Sequence, residues 1–354
     1  MNNNYDKKIY VSYCKKPKGT MTVNNRKVKK YNYYLNGKLV TQPKTVSRLR
    51  SLYIPPAYRN VIISKSPFNK IQAIGVDDRG RKQYIYHPNF IKSQISKKYQ
   101  NIRTLGKTII DIETDNKNEI RKLCKKKVCD LNLPEDYIPI IVFLLLNYHF
   151  RIGNQKYEND NNSFGITTLK KEHIKFLDNQ SHFKIQFNGK KGVINSVEDN
   201  NETIYKLLKM LVRNCNQDPH LFCYPNRYNR TTLITPELVK NYFKTKYNAD
   251  ITPKMFRTWY ANYHLLSYLK DINKNRPDLI GKRMTKKQIN ALVKNSSTYV
   301  SQKLNNTPSI SKKSYIDPKL LNTILLNPSK FINQIPNNKK KIHTHLHKLW
   351  KDVN

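Results

Sequence analysis

The stretch DYIPIIVFLLLNYHF, residues 136–150, is apolar on nearly every side after Pro139. A segment of that kind predicts a helix buried all round rather than one with a single wet face. It is shorter than the ~20 apolar residues that a bilayer span needs, so it reads as the centre of a helical core. A charge follows it at once, Arg151 in FRIGNQKY. An arginine in that place either snorkels its head to water or is a cation held at a functional site.

Working outward, the pattern changes character on each side. Upstream, residues 1–95 read as β-rich: KIYVSYC, KYNYYLNGKLV and KQYIYHP are short aromatic and β-branched runs, with turns at Asn36-Gly37 and Arg79-Gly80. From residue 96 helical periods take over. Residues 202–215 place Ile204, Leu207, Leu208, Leu211 and Val212 on one face, and residues 286–304 do the same with Ile289, Leu292, Val293 and Val300. Thr235-Pro236 and Thr252-Pro253 each open a helix, since Thr suits the N-cap and Pro the first turn. Between the helices, HFKIQFNGKKGVINSV alternates at Phe183, Ile185 and Phe187 and then turns, which predicts a β-hairpin. The expected class is α+β, with a small β-rich domain at 1–95 and a larger, mainly helical domain at 96–354 that carries the hairpin.

The charge points to a partner. There are 66 Lys and Arg against 24 Asp and Glu, a formal +42, in a chain that is 38% hydrophobic and so able to fold. A folded protein carrying that much self-repulsion calls for a polyanion. Nucleic acid is favoured, because neutralised phosphates release counterions. An anionic membrane is disfavoured, for want of a basic amphipathic helix or a lipidation signal. The N-terminus is not a signal peptide in pattern. The cysteines (Cys14, Cys124, Cys129, Cys215 and Cys223) are scattered and odd in number, which suits a reducing, intracellular setting. His343 and His347 would share a helix face, but no third ligand type lies nearby, so no metal is expected.

Three more residues carry potential chemistry. Lys190 sits in the tip of the expected hairpin and is either a solvated lysine or a mobile proton donor. Arg257, in MFRTWYANY, lies one turn inside a helix among aromatics, either stacked on rings or aimed at a phosphate. Tyr315, in SKKSYIDP, is one of 24 tyrosines. A tyrosine becomes a nucleophile when cations lower its pKa from about 10.

Taken together and in this order, these residues resemble the type IB DNA topoisomerases, and most of all their compact poxvirus and bacterial branch. IPPAY (54–58), DDRGRKQYIYHP (77–88), FRIGNQKY, SFGITTLKKEHI, FNGK, KMFRTW and LNNTPSISKKSYIDP carry the likeness over roughly residues 45–320. The resemblance implies relaxation of supercoiled duplex DNA through a transient 3′-phosphotyrosyl link, with no ATP, no metal and no cofactor. It also implies a catalytic set: Tyr315 as nucleophile, Arg151 and Arg257 as the guanidinium pair, Lys190 as general acid with Lys254 assisting, and Asn306 as a donor. The poxvirus branch has histidine nine residues before the nucleophile. Asn306 stands there in this chain, as in bacterial relatives, and its amide can donate a hydrogen bond but adds no charge. DNA contacts are implied at Gln83, Tyr84, Lys156, Tyr157 and Asn262. Asn154 takes the place of a poxvirus lysine. The implied form is a monomer closing as a clamp on double-stranded DNA. Poxvirus-like architecture and the Asn- and Lys-rich composition suggest a large DNA virus, acting in the virion or a viral factory in the host cytoplasm, with a bacterial origin as the alternative.

A tyrosine recombinase or integrase shares the two arginines, the lysine and the tyrosine. It usually carries His three residues before the second arginine, where this chain has Lys254, and a helical N-terminal domain. A basic DNA-binding protein without catalysis is a third reading.

Overall fold

The computed structural model describes residues 12–23, 26–127, 130–177, 181–213, 218–226, 228, 230–275 and 284–351. The chain divides into two compact units, Met1–Lys98 and Tyr99–Asn354.

The first unit is built on one antiparallel sheet of six strands: β1 (Ser12–Val23), β2 (Arg26–Leu35), β3 (Lys38–Leu39), β4 (Arg59–Ser64), β5 (Ile71–Val76) and β6 (Lys82–Tyr86), in the order β3-β2-β1-β4-β5-β6. The three aromatic runs expected to be strands fall in β1, β2–β3 and β6, and residues 8–11 lie outside the described residues. Helix α1 (Pro43–Ser51), started by proline at its first turn, was not expected from the sequence. It buries Leu49 in a small core with Tyr33, Ile54, Val61, Ile63 and Ala73. Among the described residues β1 pairs with β4 over Ser12–Cys14, while its pairing with β2 runs on to Val23↔Arg26, irregular at Pro17/Gly19.

Helix α2 (Pro88–Leu123) is continuous through the expected boundary at 95/96. In the second unit it buries Tyr99, Ile102, Leu105, Ile109 and Ile112, a stripe at helical spacing. Helix α3 (Pro134–Asn147) is the run that opened the sequence reading, and Ile140, Ile141, Leu144 and Leu145 are fully buried in it. Each such side chain contributes roughly 1.5–3 kcal/mol by leaving water. The helix stops three residues earlier than the apolar pattern suggests. Tyr148 caps it, and His149 takes a left-handed conformation (φ 54°) that turns the chain.

Helix α4 (Gln155–Asn161) follows, then a three-stranded antiparallel sheet of β7 (Ile174–Phe176), β8 (Phe183–Asn188) and β9 (Ile194–Asp199). β8 and β9 form the expected hairpin, paired from Phe183↔Asp199 to Asn188↔Ile194. Helix α5 (Glu202–Val212), the short pair β10 (Cys223–Pro225) and β11 (Thr231–Leu233), and helix α6 (Pro236–Tyr247) lead to helix α7 (Pro253–Asn275). Thr235 caps α6 as its sequence suggested. The last helices are α8 (Lys286–Lys303), α9 (Pro308–Ser314), α10 (Pro318–Leu326), α11 (Pro328–Asn333) and α12 (Lys339–Lys351).

Helix α7 is the hub of this unit. It packs against α3, α6, α8, α11 and α12, so Phe256 to Asn262 are buried without a break. Cys14 and Cys124 are free thiols and Cys223 is buried; Cys129 and Cys215 lie outside the described residues. No described helix is long and apolar enough to cross a membrane.

Candidate active site

Arg257 enters the site because α7 is surrounded. It is 2% exposed, and a guanidinium so deep must be hydrogen-bonded to offset desolvation. Its Nη1 donates to the carbonyl of His149, and its Nη2 donates to the carbonyl of Leu304 at 2.8 Å. The first of these acceptors is presented by the left-handed turn at His149. The ring of His149 is pinned too, against Tyr260 at 4.5 Å and with its Nε2 2.8 Å from that of His264.

The second acceptor comes from the end of α8. Asn305 adopts a left-handed conformation (φ 48°), its N–H reaches the Gln302 carbonyl, and the N–H of Asn306 reaches the Ser301 carbonyl at 2.9 Å. This is a Schellman closure with Asn in place of the usual Gly. It leaves the Leu304 carbonyl facing Arg257 and brings Asn306 to Arg151, whose Nη2 donates to Asn306 Oδ1 at 2.8 Å. The Nδ2 of Asn306 is buried and has no hydrogen-bond partner among the described residues.

Arg151 is held by its backbone. The Ile166 N–H donates to the Arg151 carbonyl at 2.9 Å and the Thr167 N–H to the Ile152 carbonyl at 2.7 Å. Gly165 permits this crossing, since a Cβ there would stand 2.6 Å from the Arg151 carbonyl oxygen and 2.4 Å from the Gly153 nitrogen. The motifs FRIGN and SFGITT are thus two chain segments in backbone contact.

Tyr315 closes α9, its N–H donating to the Ser311 carbonyl at 3.0 Å. Its side chain is 8% exposed, and the Arg257 guanidinium carbon is 5.2 Å from the ring centre. Burial pushes the phenol pKa up, but the charges of Arg257 and Arg151 and their hydrogen bonds outweigh it, and the net result is a phenol below its ordinary value. Arg257 itself is pulled below the usual guanidinium range by burial and by Arg151, and the Tyr315 phenolate acts in the opposite sense. Other buried tyrosines go the other way. Tyr99 is pushed up by burial and by the charge of Asp317.

The structure therefore brings Arg151, Arg257, Asn306 and Tyr315 together. Lys190 is exposed at the β8–β9 turn, where its Nζ lies 5.9 Å from the ring centre of Tyr157. Lys254 is exposed in the first turn of α7. Asn154 N-caps α4 by accepting from the Lys156 N–H at 2.9 Å, so it is spent on the helix that carries Lys156 and Tyr157. In the first unit, Gln83 donates to Asp77 at 2.9 Å and Tyr84 is 40% exposed.

Asn262 corrects the expectation of a DNA contact. It is 0% exposed. Its Nδ2 donates to the Thr258 and Tyr315 carbonyls at 2.7 and 2.9 Å, and its Oδ1 accepts from the Asp317 N–H at 2.8 Å. It faces inward because α7 is buried on the side that carries it. His343 likewise serves packing: it accepts from Trp259 Nε1 at 2.9 Å and stacks on Tyr263. No group of three or more His, Cys, Asp or Glu placed to hold a metal is present among the described residues. The carbonyl anchors of Arg257 went unread in the sequence, since main-chain acceptors leave no residue-type signal.

Two guanidinium groups, an amide and a phenol held below its ordinary pKa thus meet in one cluster. Residues 87–344 match the family model of the eukaryotic DNA topoisomerase I catalytic core, and residues 30–77 match that of the bacterial DNA topoisomerase IB N-terminal domain. The chain belongs to the type IB DNA topoisomerases. It is 28% identical to the DNA topoisomerase 1B of Acanthamoeba polyphaga mimivirus, over 85% of this chain and 86% of that one. It is 25% identical to the DNA topoisomerase 1 of Rabbit fibroma virus (82% and 85% covered) and 24% identical to the DNA topoisomerase 1B of Vaccinia virus (82% and 89%). Both family models are topoisomerase models, which sets aside the recombinase and the non-catalytic readings.

Proposed function

We propose that Tyr315 is the nucleophile of this topoisomerase and that Arg151, Arg257, Asn306, Lys190 and Lys254 act on the phosphate it attacks. The phenolate oxygen bonds to phosphorus as the bond from phosphorus to the 5′ oxygen breaks. The ammonium of Lys190, assisted by Lys254, supplies the proton that the leaving oxygen needs, giving a 3′-phosphotyrosyl link and a free 5′-hydroxyl. Torsion in the duplex then turns the cut end about the intact strand. The hydroxyl attacks the phosphotyrosine, returns the proton and restores the strand. One phosphodiester is exchanged for another, so ATP is not required.

The observation that carries this reading is the Arg257 guanidinium 5.2 Å from the Tyr315 ring centre, with Arg151 bonded to Asn306 in the same cluster, cations that hold the phenol below its ordinary pKa. The same cations suit the extra negative charge of a pentacoordinate phosphorus, which preorganised donors stabilise without reorganising. Asn306 Nδ2, buried and unspent among the described residues, is a donor for a non-bridging oxygen. With these groups around one phosphate, the reaction needs no metal. The partner is double-stranded DNA, bound by a monomer acting as a clamp. The formal +42 supports sequence-independent phosphate contact. Gln83 and Tyr84 serve as groove contacts of the first unit, and Lys156 and Tyr157 as contacts beside the site. The place of action is intracellular, in the virion or a viral factory.

The test is relaxation of supercoiled plasmid in EDTA without ATP, with trapping of the covalent adduct and mapping of its tyrosine. Positive and negative supercoils should both relax, and the adduct should lie on Tyr315 and vanish in Tyr315→Phe while DNA binding persists. A strict magnesium requirement, or an adduct on another tyrosine, overturns the proposal.

A further inference from the structure

The arginines position the phenol of Tyr315 from one side; the main chain around it is held from another. Tyr315 caps the end of a short helix, α9, and such an end has little rigidity of its own. Three side chains from distant parts of the chain fix it. Asn262 of α7 takes the Tyr315 carbonyl and the Asp317 N–H. The hydroxyl of Tyr99, on α2, donates to the same Tyr315 carbonyl at 3.2 Å. Trp350, one residue from the end of α12, donates its Nε1 to Asp317 Oδ2 at 2.7 Å. Asp317 is 2% exposed and its Oδ1 accepts from the Lys319 N–H at 2.9 Å, which starts α10. The rings close the cluster: Trp350 lies 5.4 Å from Tyr99 and 5.3 Å from Trp259.

We infer that Trp350 and Tyr99 are positioning residues for the cleavage reaction, holding the backbone of residues 315–317 so that the Tyr315 phenol meets Arg151 and Arg257. Neither touches the phosphate; both act through the main chain of the nucleophile. The inference rests on Tyr315 being the nucleophile. It assigns the C-terminal helix a part in the chemistry: α12 ties its Trp350 to the segment after Tyr315, and the same helix bonds through His343 to Trp259, two residues past Arg257. One helix thus grips both the nucleophile segment and the helix that supplies the guanidinium. A buried carboxylate such as Asp317 holds its place only while its donors hold it, so loss of one indole N–H releases the turn after Tyr315.

The conservative variants keep each ring and remove only the donor: Trp350→Phe and Tyr99→Phe. Single-turnover cleavage of a duplex oligonucleotide by the full chain should slow by roughly 10- to 100-fold in Trp350→Phe, since small misplacement of a reacting group costs that much. Tyr99→Phe should show a smaller loss of the same kind, and it serves as the test if Trp350→Phe does not fold. The midpoint of the pH–rate profile should move up in both, because a phenol drawn away from two guanidinium groups ionises later. DNA affinity should be unchanged. A substrate whose 5′ leaving oxygen is replaced by sulfur needs no proton donor, so it should rescue Lys190→Ala but neither of these variants.

Wild-type rate and an unshifted pH profile in both variants overturn the inference while the adduct on wild-type Tyr315 leaves the proposed function standing. An equal loss of rate and thermal stability with an unmoved pH profile also overturns it, since a purely structural role predicts that pattern. An adduct mapped to another tyrosine sinks the proposed function first.

Discussion

The guanidinium of Arg257 stands 5.2 Å from the ring centre of Tyr315 while its two terminal nitrogens are bonded to main-chain carbonyls of His149 and Leu304. The cation is therefore fixed before substrate arrives. Arg257→Ala should slow cleavage by about 10²–10³, the usual loss for one preorganised donor, with little change in DNA affinity. Arg257→Lys should recover little, because one ammonium cannot reproduce a planar fork that meets two carbonyls at once. Rapid-quench cleavage beside an equilibrium binding measurement separates the two effects.

The Tyr315 phenol ionises below its ordinary value, despite burial, because Arg257 and Arg151 favour the phenolate. The nucleophilic form is the deprotonated one. Cleavage should rise with pH up to that lowered value and then level off, falling about tenfold per pH unit below it for a single ionisation. Arg151→Ala removes one of the two lowering charges, so the midpoint should move to higher pH as well as the plateau dropping. A midpoint unaffected by Arg151→Ala would argue that another group sets the profile.

Asn306 accepts from Arg151 through Oδ1 and keeps a buried Nδ2 free among the described residues. Asn306→Asp preserves the acceptor and replaces the donor with a second acceptor facing the phosphate. Cleavage by Asn306→Asp should fall further than by Asn306→Ala, which should itself lose roughly 10²-fold as a missing donor does. Asn306→His restores a donor and should recover most of the rate. Parity of the Asp and Ala variants would remove Nδ2 from the proposed chemistry.

Acid stability should depend on Glu113 of α2. Burial alone would raise its carboxyl, but His343, its Nε2 3.4 Å away, the hydrogen bond from Tyr260 and the charge of Lys339 bring it from 4.5 down to about 2. A depressed carboxylate contributes stability that is fully present above its unfolded pKa and lost as pH falls through its folded one. The window is thus from about 4.5 down to about 2. Thermal melts across that window should show a loss of Tm that is flattened in Glu113→Gln, measured against the same variant at neutral pH.

Much of the helical unit was legible because burial imposes periods on sequence. The all-apolar run became α3, the alternation at Phe183–Phe187 became β8, and Thr252-Pro253 marked the start of the helix that buries Arg257. The two ends of helices that complete the site were not legible. His149 and Asn305 adopt left-handed conformations that neither residue type signals as glycine would, and each orients a carbonyl rather than a side chain. Asn262 misled for a related reason. Its place in YANY is that of a contact residue in the resembling family, and only the packing of α7 shows that its amide points at the main chain of Tyr315. Tyr99 and Trp350 lie 216 and 35 residues from Tyr315 in sequence, and no local pattern links them.

The left-handed turn at His149 and the Schellman closure at Asn305 share a consequence for the substrate. Both carbonyls that hold Arg257 lie just past helix ends, His149 two residues after α3 and Leu304 one after α8, beside the partial negative charge that peptide dipoles leave there. The buried guanidinium is thereby compensated by fractions of a charge at two helix ends, with no carboxylate among its hydrogen-bond partners in the described residues. A carboxylate in the same place would have neutralised the arginine and then repelled the phosphate that approaches it. Carbonyl ends orient the cation and leave most of its field pointing outward, toward the anion it is there to meet.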